Sequence, residues 1–434
     1  MPRIRLLVLT DISSLTPGVR EPDDGQSMIR LMLYSNEFDL EGLVASSNMR
    51  HGQTTRPELI HQVIDAYAEV RPQLLRHDDR FPPASRLHDL VRAGQPVAGP
   101  QVPVFDSIGP GKDTEASEWI ARAAARPDPR PLWIAIWGGT ADLAQALWRI
   151  SYSAGSAGVR AFCDKVRVHS IGDQDSTGAW IKENYPGLLV ITRGRGIRGM
   201  YRGGDTTLVS SEWVETHVRN GHGALGALYP NYDGGDIWSG KLGPVRGVKE
   251  GDTPSFLSLV PNGLNDPDRP ELGSWGGRFH GSGKRWEDAI DTDAGHPDDP
   301  DPRMSAVYRW RPAFQADFQA RLDWCVADPD AANHPPVARL AGASSRRVRA
   351  GETVVLDASP STDPAGRHLS FQWSLYPPLS ENAHWVQITG AGTPMARLAI
   401  PPECAGETLH ALVAVTNDGT PPLTRYARAE LQVE

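Results

Sequence analysis

The sequence predicts an α/β domain with a mostly parallel sheet and helices on both faces, followed by an all-β immunoglobulin-like sandwich. Three observations predict this. Through the first three quarters of the chain, short apolar runs alternate with helical patterns, as strand–helix–strand units do. Beyond a Pro/Asn/Asp stretch the apolar period changes to two. The 434 residues are also enough for two cores. These shifts place an α/β domain at 1–327, a linker at 328–336 and a sandwich at 337–434.

The first strand is Ile4–Leu9, ending in Thr10-Asp11. A turn-rich loop then delivers Glu21-Pro22-Asp23-Asp24, and a helix over Ser27–Ser35 carries Met28, Leu31 and Met32 on its apolar face. A strand at Leu40–Ser46 precedes a helix at Pro57–Val70, which opens on proline and repeats Leu59, Val63, Ala66 and Val70. Further helices are expected at Thr114–Ala125 and Ala141–Trp148, with strands at Leu132–Trp137, Val166–Ile171 and Leu188–Thr192. Right-handed crossovers put every parallel strand's C-terminus on one edge, where ligands bind. Asp11, Ser47-Asn48, Trp137-Gly138-Gly139-Thr140 and Gly172-Asp173-Gln174-Asp175 should therefore share a rim.

From about Gly221 to Arg303 the chain is dense in Gly, Pro, Asp, Asn and aromatics, which reads as long ordered loops. Asp291–Arg303 lacks the spacing of an EF-hand and is expected to be a solvated acidic loop. Trp310–Val326 is a last amphipathic helix. After it, Val337–Leu340, Thr353–Ser359, Leu369–Leu375, Ala396–Ile400 and His410–Gly419 alternate as sandwich strands. Trp373 reads as core packing, and Asp357 and Asp363 as turn formers. This module resembles the polycystic-kidney-disease or cadherin-like domains.

A formal charge of −9 and the lack of a basic stripe exclude nucleic acid as a partner. No run reaches the roughly 18 apolar residues of a membrane helix. Cys163, Cys325 and Cys404 are too scattered for a disulfide framework or a zinc site. Strand one starts without a signal peptide, so the expected location is the cytoplasm, or the periplasm or exterior if the start was trimmed.

Asp11, Asp23 and Asp24 carry the chemistry. Like charges brought together at a strand end repel, and partial burial strengthens the repulsion. A hard cation such as Ca2+ relieves it and accepts carboxylate oxygens. Helix capping by Asp23 or Asp24 is the alternative, although it leaves Asp11 and Glu21 idle.

With these residues in view, the chain resembles the inosine–uridine nucleoside hydrolase superfamily. Closer still is a nucleoside-hydrolase-like family described as cellulose-binding, in which a β-sandwich follows. The motifs are Thr10-Asp11, Pro22-Asp23-Asp24-x-Gln26-Ser27, Glu41–Asn48, Gly247–Phe256 and Pro261–Pro267. The resemblance implies a Ca2+ ion that holds sugar hydroxyls and a water. It makes Asp11 both metal ligand and catalytic base, Asp24 a ligand and Asp23 a contact to a sugar hydroxyl. Asn48 would hydrogen-bond the sugar, Glu183-Asn184 would form a looser clamp, and the Trp137 carbonyl would be a ligand. Asp252 is the late acidic ligand, with Glu250 as the alternative. The departures are Leu9 in place of the first Asp of the superfamily motif, an insertion from Ser13 to Arg20, and no clear leaving-group histidine among His217, His222 and His280.

The implied activity is calcium-dependent hydrolysis of an N- or O-glycosidic bond in a ribose-like or other glycoside. The alternative is a non-catalytic binder of a cellulose-type polysaccharide on the same rim, with Trp275, Trp286 and Trp238 as stacking platforms. A third reading is a scaffold whose sandwich does the binding. Expected partners are a small sugar, a nucleoside or a polysaccharide, and a homo-oligomer is compatible with the sequence.

Overall fold

Burial drives the N-terminal architecture: each predicted strand is apolar on both faces, so helices must cover both sides. The computed structural model describes residues 2–16, 23–47, 54–235, 243–380 and 382–434. Strands β1 (Ile4–Thr10), β2 (Phe38–Ala45), β3 (Val91–Ala93), β4 (Leu132–Ile136), β5 (Val166–Ile171) and β6 (Leu189–Arg193) pair in parallel. A small ribbon, β7 (Tyr232–Gly235) and β8 (Pro244–Gly247), stands apart. The hairpin β9 (Phe279–Ser282) and β10 (Arg285–Asp288) extends the main sheet, with β10 parallel to β6 and β9 antiparallel at the edge. The resulting eight-stranded order is β3-β2-β1-β4-β5-β6-β10-β9.

The chain leaves β1 toward β2 and β3, then returns to β4 on the other side of β1. That reversal opens a crevice at the C-terminal ends of β1 and β4, where open α/β sheets bind ligands. Helix α1 (Asp23–Leu33) starts earlier than its apolar pattern suggests, because Asp23 and Asp24 occupy its first turn. Helix α2 (Pro57–His77) continues past Pro72. The helix Ala141–Lys165 extends well beyond Trp148 and departs from helical geometry at Gly155. At Glu115–Ala125 the Thr114 side chain caps the helix by accepting from Ser117 N.

The C-terminal part is a sandwich of two sheets. Strands β11 (Ser345–Val348), β13 (Leu369–Leu375), β16 (Thr408–Asn417) and β17 (Thr424–Val433) form one, in the order β11-β17-β16-β13. The other contains β12 (Thr353–Asp357), β14 (Gln387–Thr389) and β15 (Met395–Ala399). Trp373 fills the core between them, while Asp357 and Asp363 accept backbone N–H groups of their turns, as expected. Val337 makes only an isolated bridge to Thr362, so the expected strand at Val337–Leu340 does not form.

A buried polar seam docks the sandwich on the α/β part. Tyr426 N donates to Asn262 O at 2.9 Å, and Gly263 takes φ +84°. A Cβ on Gly263 would lie 1.8 Å from the Tyr426 carbonyl oxygen, so only glycine lets the two backbones approach this closely. Arg425 pairs with Asp317 at 2.8 Å, and Tyr376 OH donates to Asp291 at 2.5 Å. Asp291 also pairs with Arg278 and Arg309 and is fully buried. The expected solvated loop at Asp291–Arg303 is therefore anchored at its start. The motif Pro261–Pro267 serves this seam rather than the rim.

Candidate functional site

The rim is assembled by short-range constraints on three segments. Thr10 Oγ1 receives a hydrogen bond from Ile12 N and donates to Asp24, tying the end of β1 to the first turn of α1. Gln26 reaches the other way: its Nε2 donates to Pro230 O at 2.7 Å and Gly247 O at 2.9 Å, and its Oε1 accepts from Lys249 N at 2.6 Å. Thr253 Oγ1 donates to Ser27 Oγ at 3.0 Å. The Gln26-Ser27 pair thus clamps the loop after β8 onto α1 and lays Asp252 over Asp23 and Asp24.

Carboxylate oxygens of Asp23, Asp24 and Asp252 come within 4.8 Å of one another. Asp24 is 4% exposed and Asp252 2%, and Asp11 shares a side-chain hydrogen bond with Asp24. Burial, then the charge of Asp23, pushes Asp24 up to about 7. Burial and the charges of Asp24, Asp23 and Asp11 hold Asp252 well above the ordinary carboxylate range. Lys249 lies 3.6 Å from Asp23 Oδ2.

Helix capping does not account for this cluster, because two buried oxygens, Asp23 Oδ1 and Asp252 Oδ2, meet no hydrogen-bond donor among the described residues. Clustered carboxylates with spare buried oxygens fit a hard, oxygen-seeking cation.

The β4 loop closes against Asp11. A Cβ on Gly138 would come 2.6 Å from Asp11 Cβ, and one on Gly139 would come 2.6 Å from Asp175 Oδ2. The Trp-Gly-Gly run is thus a steric requirement of the crevice floor. The Trp137 carbonyl faces Gln174, whose Nε2 donates to it, so as a metal ligand it would use its second lone pair. Asp175 is committed to scaffolding, accepting from Thr140 N, Ala141 N and Thr177 N.

Other expected residues fall elsewhere. Glu250 is not in the cluster: it pairs with Arg30 at 2.5 Å and accepts from Tyr229 OH at 2.6 Å. Glu183 and Asn184 end the helix Thr177–Asn184, which starts at the rim and carries them away from it, leaving both exposed. They cannot clamp a sugar held at Asp11. Trp275 is 0% exposed, packed in the main core beneath Arg425, and so offers no face to a ligand. Trp286 is partly buried against the same core. Asn48, Trp238 and Glu21-Pro22 lie outside the described residues.

His217 packs on Trp213 and His222 pairs with Asp323, whereas His280 is exposed on β9. Lys249 is the site residue that sequence reasoning missed. Its signal was its place inside Gly247–Phe256, three residues before Asp252.

Residues 5–279 match the family described as cellulose-binding Sde182, nucleoside hydrolase-like domain. Residues 353–433 match that described as cellulose-binding protein Sde0182, C-terminal domain. A nucleoside hydrolase-related hypothetical protein from Saccharophagus degradans, described as associated with carbohydrate metabolism, is 30% identical in sequence. Each chain covers 100% of the other, with a TM-score of 0.81. A PKD domain from the KIAA 1837 protein is 15% identical over 22% of this chain and 84% of that one, with a TM-score of 0.18. Human CDH23 EC21-23 is 18% identical over 23% of this chain and 33% of that one, with a TM-score of 0.18. Among curated proteins no relative matches.

Proposed function

The chain belongs to the nucleoside hydrolase-like family described as cellulose-binding, and on that premise we propose that it is a calcium-dependent hydrolase of a glycosidic bond. The observation that carries the reading is the convergence of Asp23, Asp24 and Asp252, with Asp11 joined to Asp24, and buried oxygens of Asp23 and Asp252 that meet no donor among the described residues. Asp24, Asp252 and Asp11 would hold Ca2+, and the Trp137 carbonyl would complete the protein ligands. Bound there, the ion would supply positive charge that acidifies a water and orients sugar hydroxyls.

The residues divide the remaining work. Asp11 takes a proton from the attacking water, because it closes the crevice floor against Gly138 and is joined to Asp24. Asp23, the most open of the cluster carboxylates, accepts from a sugar hydroxyl. Thr10 and Gln26 hold β1, α1 and the Asp252 loop in register, which keeps the site preorganised.

A second reading has its own support, the cellulose-binding description of the family: the rim holds a polysaccharide without cleaving it. One experiment separates the two. Nucleosides and cello-oligosaccharides are incubated with the calcium-loaded protein and with Asp11→Asn. Turnover abolished in the variant supports the hydrolase. Saturable, calcium-linked sugar binding without turnover in either protein supports the binder.

A further inference from the structure

The acidic cluster already contains a cation of its own. Lys249 is 1% exposed, and its ammonium lies 3.6 Å from Asp23 Oδ2 and 5.5 Å from the centre of the Tyr232 ring. Its backbone is not free to withdraw, because Lys249 N donates to Gln26 Oε1 at 2.6 Å and Gly251 N bonds back to Lys249 O at 2.8 Å. The same short loop therefore delivers a positive charge and, three residues later, the Asp252 carboxylate. A buried ammonium is costly unless nearby charge compensates it, and here the compensation comes from the candidate metal-binding carboxylates.

Charge arithmetic gives this a consequence. Among the described residues, Asp11, Asp23, Asp24 and Asp252 sum to −4 when ionised, and Lys249 brings the cluster to −3. An incoming divalent cation is attracted by the carboxylates and repelled by the ammonium beside them.

We propose that Lys249 is the resident counter-ion of the cluster: it holds the carboxylates together without metal and weakens the site's affinity for an external divalent cation. Its second half rests on the calcium reading above, whereas the first half does not. The loading of the site would then depend on the surrounding calcium level, because the fold does not need the ion in order to assemble.

The test uses the full-length chain, stripped with EDTA and dialysed, as wild type, Lys249→Met, Lys249→Arg and the double variant Lys249→Met/Asp23→Asn. Calcium chloride is titrated by calorimetry, and thermal melts are recorded in EDTA and in saturating calcium. The expected result is calcium binding at least tenfold tighter in Lys249→Met and close to wild type in Lys249→Arg. Lys249→Met should also melt lower than wild type in EDTA and recover in calcium. The double variant keeps the cluster at −3, so it should fold and melt in EDTA close to wild type even where Lys249→Met alone does not fold. Equal or weaker calcium affinity in Lys249→Met, or an unchanged melt in EDTA, would overturn the proposal. No calcium binding by any of the proteins, with Lys249→Met still melting lower in EDTA, would sink the calcium reading and leave Lys249 as the counter-ion in its place.

Discussion

Two regions of this molecule bury several carboxylates each, and they treat the charge in opposite ways. At the seam between the α/β part and the sandwich the buried aspartates Asp317 and Asp291 are matched with arginines. Asp317 meets Arg321 and Arg425, and Asp291 meets Arg278 and Arg309. Burial works against the Asp317 charge, yet Arg425 and Arg321 hold its carboxyl well below the usual range. At the rim, among the described residues, four aspartates gather around Lys249, which lies 3.6 Å from Asp23, and Asp24 and Asp252 are pushed up. A buried acid matched with arginine fixes a structure, whereas a buried acid left in excess stores free energy that a ligand can release.

The hardest blow to the comparison comes from the seam. Asp317→Ala removes the carboxylate shared by Arg321, Arg425 and Tyr34, and should cost about 5 kcal/mol in chemical denaturation. A loss under ~1 kcal/mol would mean that the pairing is not what fixes the seam.

The rim predicts an effect of almost the same size with the opposite pH sense. Asp24 has its pKa raised from 3.8 to about 7 on folding, so its stabilising contribution is complete below 3.8 and is lost as pH rises through about 7. The calcium-free protein should lose on the order of 4 kcal/mol across that window, and Asp24→Asn should flatten the slope. Denaturation in EDTA at stepped pH measures it. A stability that rises between pH 4 and 7 in the wild type, and equally in the variant, would erase the contrast. Calcium at pH 7.5 should restore the melting temperature of the wild type and leave Asp252→Asn unmoved.

Trp275→Ala should cost about 3 kcal/mol through lost packing and leave the glucan affinity of the folded protein unchanged. A pull-down on cellulose beside a melt decides it, and selective loss of binding would return Trp275 to the site. The smallest effect belongs to an exposed pair. Arg246→Gln breaks the contact to Asp233 at 3.0 Å between side chains about 70% exposed, and stability should shift by less than ~0.5 kcal/mol.

Much of this was legible in the chain. Apolar runs placed β1, β2, β4, β5 and β6 within two residues, since a strand buried on both faces must be apolar throughout, whereas the short parallel strands β3 and β10 were missed. Thr10-Asp11 and Asp23-Asp24 were visible because clustered acids at a strand end are rare without a use, while Asp252 came into view through the family resemblance of Gly247–Phe256. The errors came from long-range packing. Trp275 sits in a Gly-rich segment that looks like a sugar platform, but Arg425 of the sandwich covers it. Glu183-Asn184 and Glu250 are polar residues near motifs, and only the path of a helix and the reach of Arg30 take them out of the site. Strand Thr424–Val433 was missed although it forms the longest pairing of the sandwich.

The sequence alone determined the order of elements, the sheet edge on which the acids gather and the membership of the chain in its family. Those properties follow from local patterning and right-handed crossovers, which act over tens of residues. The tertiary structure decided which acids are matched with cations and which are left in excess. That depends on partners as far apart as Asp23 and Lys249, or Asp317 and Arg425, brought within 4 Å by packing that no local pattern encodes.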